Sequence, residues 1–181
     1  MTTYVALLRG INVGGNNTIS MKELADIFTD IGFFSVRTYI NSGNVIFQSA
    51  ETSRTKLEQI IEKKLAESMH YKGRVLVRSE QDIEQTVAHF PRIFSEPDWK
   101  HNSIFLGEPI DNPDILKAFI LKDDIEQNSY FKGVLYWSAQ KEFGTRSTML
   151  KLSTRPEYQE MTVRSIGTVT KILELMKVRA S

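Results

Sequence analysis

No cysteine occurs among the 181 residues. Disulfides, thiolate catalysis and cysteine-based zinc or iron–sulfur centres are therefore excluded. An excess of one charge is also lacking, since the formal net charge is +1. Such a balance gives no global field to draw in nucleic acid or a membrane surface. No stretch approaches the ~20 consecutive apolar residues that a membrane helix requires. The opening MTTYVALLRG has no basic segment, and its apolar run is too short for a signal peptide. No membrane partner and a cytoplasmic location are expected. The three histidines, His70, His89 and His101, lie apart with no metal-ligand spacing, and neither H-E-x-x-H nor G-x-S-x-G occurs. No metal site, cofactor or marked nucleophile follows from the sequence. The pair Asp123-Asp124 near Glu126 reads as a solvated segment rather than a cation site.

What is present suits a globular protein of one large domain or two small ones: 41% of residues are hydrophobic and 25% charged. Tyr4–Leu8 is a short apolar strand. Met21, Leu24, Ala25, Phe28 and Ile31 then fall on one helical face. Ser20 and Glu23 are spaced as a capping box, and Gly32 supplies a left-handed stop. Residues 36–40 and 45–48 alternate as strands around Asn41-Ser42-Gly43-Asn44, which is turn chemistry. A second amphipathic helix runs through Leu57, Ile60, Ile61, Leu65 and Met69, and a strand follows at 74–78. The order βαββαβ is the ferredoxin-like plait. A linking helix is expected at 79–90, and the proline-bearing FPRIFSEPDWKHN (90–102) reads as a joint.

The second half repeats the order more faintly. A strand is expected at 103–106, and a helix starts at Asn112-Pro113 with Ile115, Leu116, Phe119 and Ile120 as its apolar face. A hairpin spans 130–137, a short helix 145–152 and a strand 161–164. A last helix turns Val169, Ile172, Leu173 and Met176 inward. The expected architecture is α+β, with two ferredoxin-like subdomains at 1–79 and 102–181. Residues 80–101 form the linking helix and joint, and an added helix closes the second subdomain.

The stretch LLRGINVGGNN (7–17) has the Gly-x4-Gly spacing of a phosphate-binding P-loop, but Asn16 and Asn17 stand where Lys and Ser/Thr are needed. The helix cap sits at Ser20, so the loop amides are not those of a helix N-terminus. A nucleotide site of that type is rejected. A Gly-rich bend by default remains, with an anion-binding nest as its functional version.

These residues also carry a family likeness. YVALLRGINVGGNN, MKEL and VRTYINSGNVIF, together with the late segment MTVRSIGTVTKILEL (161–175), resemble the bacterial family called domain of unknown function 1697. Its members typically open with ALLRGINVGG, continue with an SGN-containing hairpin and end in T-[IV]-R-N before the last helix. Ser165 stands here where the family usually has Asn, and Ser caps a helix equally well. The resemblance implies two ferredoxin-like subdomains and no activity.

The leading functional expectation is a binding protein with a polar, anion-preferring cleft built from three segments. Arg9 and Arg164 would hold the anion by charge-assisted bonds. Gly14 and Gly15 would present amides, and Asn12, Asn16, Asn41, Ser42, Asn44 and Ser165 would supply polar edges. One alternative is single-stranded nucleic acid bound through Tyr4, Tyr39 and Phe47 on the first sheet, although the RNA-binding signature is absent. Another is an oligomerising module that uses the aromatic second half: Phe94, Trp99, Phe105, Tyr130, Phe131, Tyr136, Trp137 and Phe143. Oligomeric state and enzymatic activity are left open by the sequence.

Overall fold

The structure, a computed structural model, describes residues 1–12, 18–91, 98–122 and 124–178. The chain divides into two compact units, Met1–Glu84 with Lys171–Ser181, and Gln85–Thr170.

The first unit is built from β1 (Thr2–Leu8), α1 (Met21–Asp30), β2 (Phe34–Tyr39), β3 (Asn44–Ser49), α2 (Arg54–Met69) and β4 (Val75–Ser79). Its four strands lie in the order β2-β3-β1-β4, all neighbours antiparallel. That is the ferredoxin-like arrangement. The local chemistry acts as expected. Ser20 accepts from the Glu23 amide while Glu23 reaches back, and Gly32 takes φ +97°. Tyr4, Ala6, Leu8, Val45, Phe47, Val75 and Val77 form one core with Leu24, Phe28, Leu57, Ile61 and Leu65 from the helices. The alternate strand residues Val5, Leu7, Ile46 and Leu76 are equally enclosed, so the middle of this sheet is covered on both faces.

A charged cluster fastens α2 to the edge strand β4. Glu58 accepts from the Val77 amide at 2.9 Å, Arg74 reaches Glu58 and Glu62 at 3.2 and 2.8 Å, and Arg78 lies 3.8 Å from Glu58. Burial pushes the Glu58 carboxyl up, against the opposing pull of the Val77 amide and the two guanidinium groups.

The second unit carries β5 (Trp99–Leu106), β6 (Glu126–Phe131), β7 (Val134–Gln140) and β8 (Met161–Ser165) in the same order, β6-β7-β5-β8. Between its strands the expected α-helices are replaced by 3₁₀ segments, Pro113–Ala118, Lys141–Arg146, Thr148–Thr154 and Pro156–Glu160. In the first of these, Phe119 leaves the helix in an extended conformation and sets its ring edge-on to Trp137 at 5.1 Å. One aromatic contact thus outcompetes a short helix of weak intrinsic stability, and Ile120 is 88% exposed rather than inward. Glu126 anchors the 3₁₀ region. Its buried carboxylate accepts from Ser147 Oγ, from Thr148 N and Oγ1 at 2.7 Å each, and from Lys122 N at 3.3 Å.

Helix α3 (Glu80–Ala88) and helix α4 (Ile166–Lys177) each cross the division between the units. Within the second unit, the end of α3 is held by Tyr136, whose hydroxyl donates to the Thr86 carbonyl at 2.6 Å. Within the first, the end of α4 is held by Arg37, whose Nη2 donates to the Leu175 and Val178 carbonyls at 2.7 and 3.2 Å. The tripeptide Val-Arg-Ser closes both β4 (77–79) and β8 (163–165). Arg78 lies opposite Val5 and Arg164 opposite Ser103, which are equivalent points of the two plaits. Both arginines are buried, and both bond the carbonyl of the preceding residue.

Burial alone would raise the Glu126 carboxyl, but the hydrogen bonds from Ser147, Thr148 and Lys122 outweigh it and hold the group below its ordinary value of 4.5. Its contribution is complete above that value and is lost as pH falls through the folded-state value. Urea denaturation across the acid range should show a shallower loss of stability in Glu126→Gln than in the wild type. Parallel acid limbs would refute the assignment.

Candidate functional site

The end of the first sheet where β1 gives way to the Gly-rich loop brings two of the three expected segments together. Leu8 N donates to the Gly43 carbonyl at 2.9 Å, joining the last residue of β1 to the 40–43 hairpin turn. Gly43 has φ +70°, and a Cβ there would lie 2.9 Å from Leu8 Cβ and 3.2 Å from Ile11 Cβ. Only glycine fits, on both backbone and steric grounds. Asn12, itself at φ +53°, bridges the two segments. Its Nδ2 donates to the Ile19 and Asn41 carbonyls at 3.1 Å each, and its Oδ1 accepts from Ile19 N at 2.8 Å. The loop is also braced from the β4 side. Arg9 N donates to the Arg74 carbonyl at 3.0 Å, while the Tyr71 hydroxyl donates to the Arg9 carbonyl at 2.6 Å.

This geometry reassigns part of the expected site. Asn12 spends its whole amide on the turn. Asn44 is fully enclosed, with its Nδ2 donating to the Tyr39 carbonyl and Ser42 Oγ at 3.0 Å each. Both are braces of the loop–hairpin junction. Arg9 and Asn41 sit at its surface, Arg9 half-buried and Asn41 exposed, and Ser42 lies between Asn41 and the Gly43 turn. Gly14, Gly15 and Asn16 fall outside the described residues, as do Phe94 and Asp123. Arg164 and Ser165 belong to the second unit. Arg164 is buried and donates to Thr162 Oγ1 at 2.9 Å, and Ser165 Oγ accepts from Thr168 N at 3.2 Å as the cap of α4.

Tyr71 was missed from sequence, and so was the steric role of Gly43. Tyr71 carries a usable signal, because it follows a helix end and precedes Gly73, where a Cβ would meet the tyrosine hydroxyl at 2.2 Å.

Of the aromatic residues of the two alternatives, Tyr4, Phe47, Phe105, Tyr136 and Trp137 are buried, and Tyr39, Trp99, Tyr130, Phe131 and Phe143 are half-buried. Tyr4 and Phe47 pack against each other in the core, with ring centroids 5.7 Å apart, so neither is available to stack a base. Phe105, Tyr136 and Trp137 are likewise enclosed and offer no partner surface. Phe131 is stacked on His89 at 4.0 Å, and Tyr130 donates to Asp111 at 2.9 Å. Burial and the Asp111 carboxylate push the Tyr130 hydroxyl up to about 12. Glu126, once a possible cation ligand, is consumed by Ser147 and Thr148.

Three comparisons place this geometry among known proteins. The family model described as protein of unknown function (DUF1697) matches residues 1–136. No curated protein matches the chain. Among solved structures, the conserved bacterial protein SP0830 from Streptococcus pneumoniae is similar, at 30% identity and a TM-score of 0.84. The match covers 97% of this chain and 99% of that one.

Replacing Asn12 by Ala strands the Ile19 amide and two carbonyls and should cost about 1–3 kcal/mol in urea denaturation. Gly43→Ala should cost a similar amount, about 1–3 kcal/mol, by overpacking and left-handed strain. The double variant should deviate from additivity, because both act on one junction. Losses that simply add would show that the two segments are independent.

Proposed function

The chain belongs to the DUF1697 family of proteins of unknown function, and on that premise we propose that it is a binding protein for a small acidic or phosphate-bearing ligand. The ligand would be taken at the loop–hairpin junction of the first unit. The observation that carries this reading is the Asn12 bridge. It fixes the Arg9–Asn12 turn against the hairpin before any ligand arrives, which lowers the ordering cost of binding. The Arg9 guanidinium would supply the charge, the Gly14 and Gly15 amides the nest, and Asn41 and Ser42 the polar edge. Arg164 and Ser165 are not needed, since their side chains are engaged within the second unit.

Thermal denaturation against a panel of inorganic phosphate, nucleotides and small di- and tricarboxylates tests the proposal. A ligand at a hundredfold excess over its Kd adds about 2.7 kcal/mol and should raise Tm by roughly 5–10 °C. The shift should vanish in Arg9→Gln. An unchanged Tm across the panel, or a shift that survives in Arg9→Gln, overturns it.

A further inference from the structure

At the opposite end of the same sheet, where β1 begins, the first unit holds a polar groove of about 860 Å³. Its floor is the sheet face that carries Thr3, Ile46, Gln48 and Arg37, and one wall is the first turns of α3 with Glu80 and Glu84. The end of α4 forms the other wall. It is tied on one side to Arg37 through the Leu175 and Val178 carbonyls, and on the other through Lys177 to Glu84 at 2.6 Å. The volume lies in the range of small-molecule sites, and no aromatic side chain lines the groove among the described residues.

The polarity of the groove follows from the strand order. Arg37 is on β2, at one edge of the sheet, and Glu80 directly follows β4, at the other. Three interstrand spacings separate the two strands, about 14 Å. Both end groups have unused capacity among the described residues. Arg37 makes hydrogen bonds through Nη2 only, which leaves Nη1 without one. Glu80 accepts no hydrogen bond, whereas its neighbour Glu84 is committed to Lys177. Glu80 and Glu84 together hold the Lys177 ammonium in its charged form. Gln48, on β3 beside the strand of Arg37, takes the Ser35 hydroxyl on its Oε1, and its amide nitrogen makes no hydrogen bond among the described residues.

We propose that this groove binds a short peptide-like zwitterion. Its ammonium group would lie at Glu80 and its carboxylate at Arg37. The Gln48 amide would donate to a backbone carbonyl of the bound chain. This site is separate from the Arg9 junction and does not depend on it.

Calorimetric titration of the full chain with triglycine tests the proposal, with N-acetyltriglycine and triglycine amide as blocked probes. Triglycine should bind saturably, and blocking either end should weaken it about tenfold or more, as should Glu80→Gln. Arg9→Gln should bind it unchanged, which separates this site from the loop junction. No saturable binding up to about 10 mM overturns the proposal, as does equal affinity for the free and blocked peptides.

Discussion

The requirement that a plait's sheet be covered on both faces governs this molecule. In β1, Val5, Ala6 and Leu7 are all fully enclosed, so the middle of the strand has no solvent side. Helices α1 and α2 supply the core on one face only, that of Tyr4, Ala6 and Leu8. Each plait therefore ends in an additional helix, entered through the same Val-Arg-Ser step. Residues 85–88 of α3 belong to the second unit and residues 171–177 of α4 to the first. Tyr136 holds the end of α3 in the second unit, and Arg37 holds the end of α4 in the first. The added helices are thus part of the fold. Tyr4 and Phe47, packed beneath α1 and α2, are not offered to single-stranded nucleic acid.

The parts legible in the sequence were those fixed by neighbours in the chain. The Ser20–Glu23 box, the Gly32 stop and the 41–44 turn each depend on a few consecutive residues, and each forms. The expected helices at 113–120 and 145–152 formed only as 3₁₀ segments, 113–118 and 148–154. Apolar spacing at Ile115, Leu116, Phe119 and Ile120 fits a helical stripe, yet the Phe119–Trp137 contact decides the geometry from a strand far along the chain. The role of Arg37 was equally hidden, because its partner Leu175 lies 138 residues away.

The candidate site shows a different limit. An asparagine in a polar loop reads the same whether its amide faces a ligand or the backbone beside it. Asn12 and Asn44 face inward, and Arg164 lies buried in its strand, whereas Asn41 faces out. What the sequence did convey was the joint presence of the two motifs. Their hydrogen bonds, Leu8 to Gly43 and Asn12 to Asn41, show them to be one junction.

Gly43 carries a consequence beyond stability. Its α-carbon sits so close to Leu8 and Ile11 that the strand end and the hairpin turn cannot drift apart in evolution as separate segments. A homologue with a bulkier residue at this point should carry smaller ones at the positions of Leu8 and Ile11, or a hairpin of different length. The two signature stretches are therefore coupled through one close approach, and a bulkier residue in the turn must be matched by a change in the strand end.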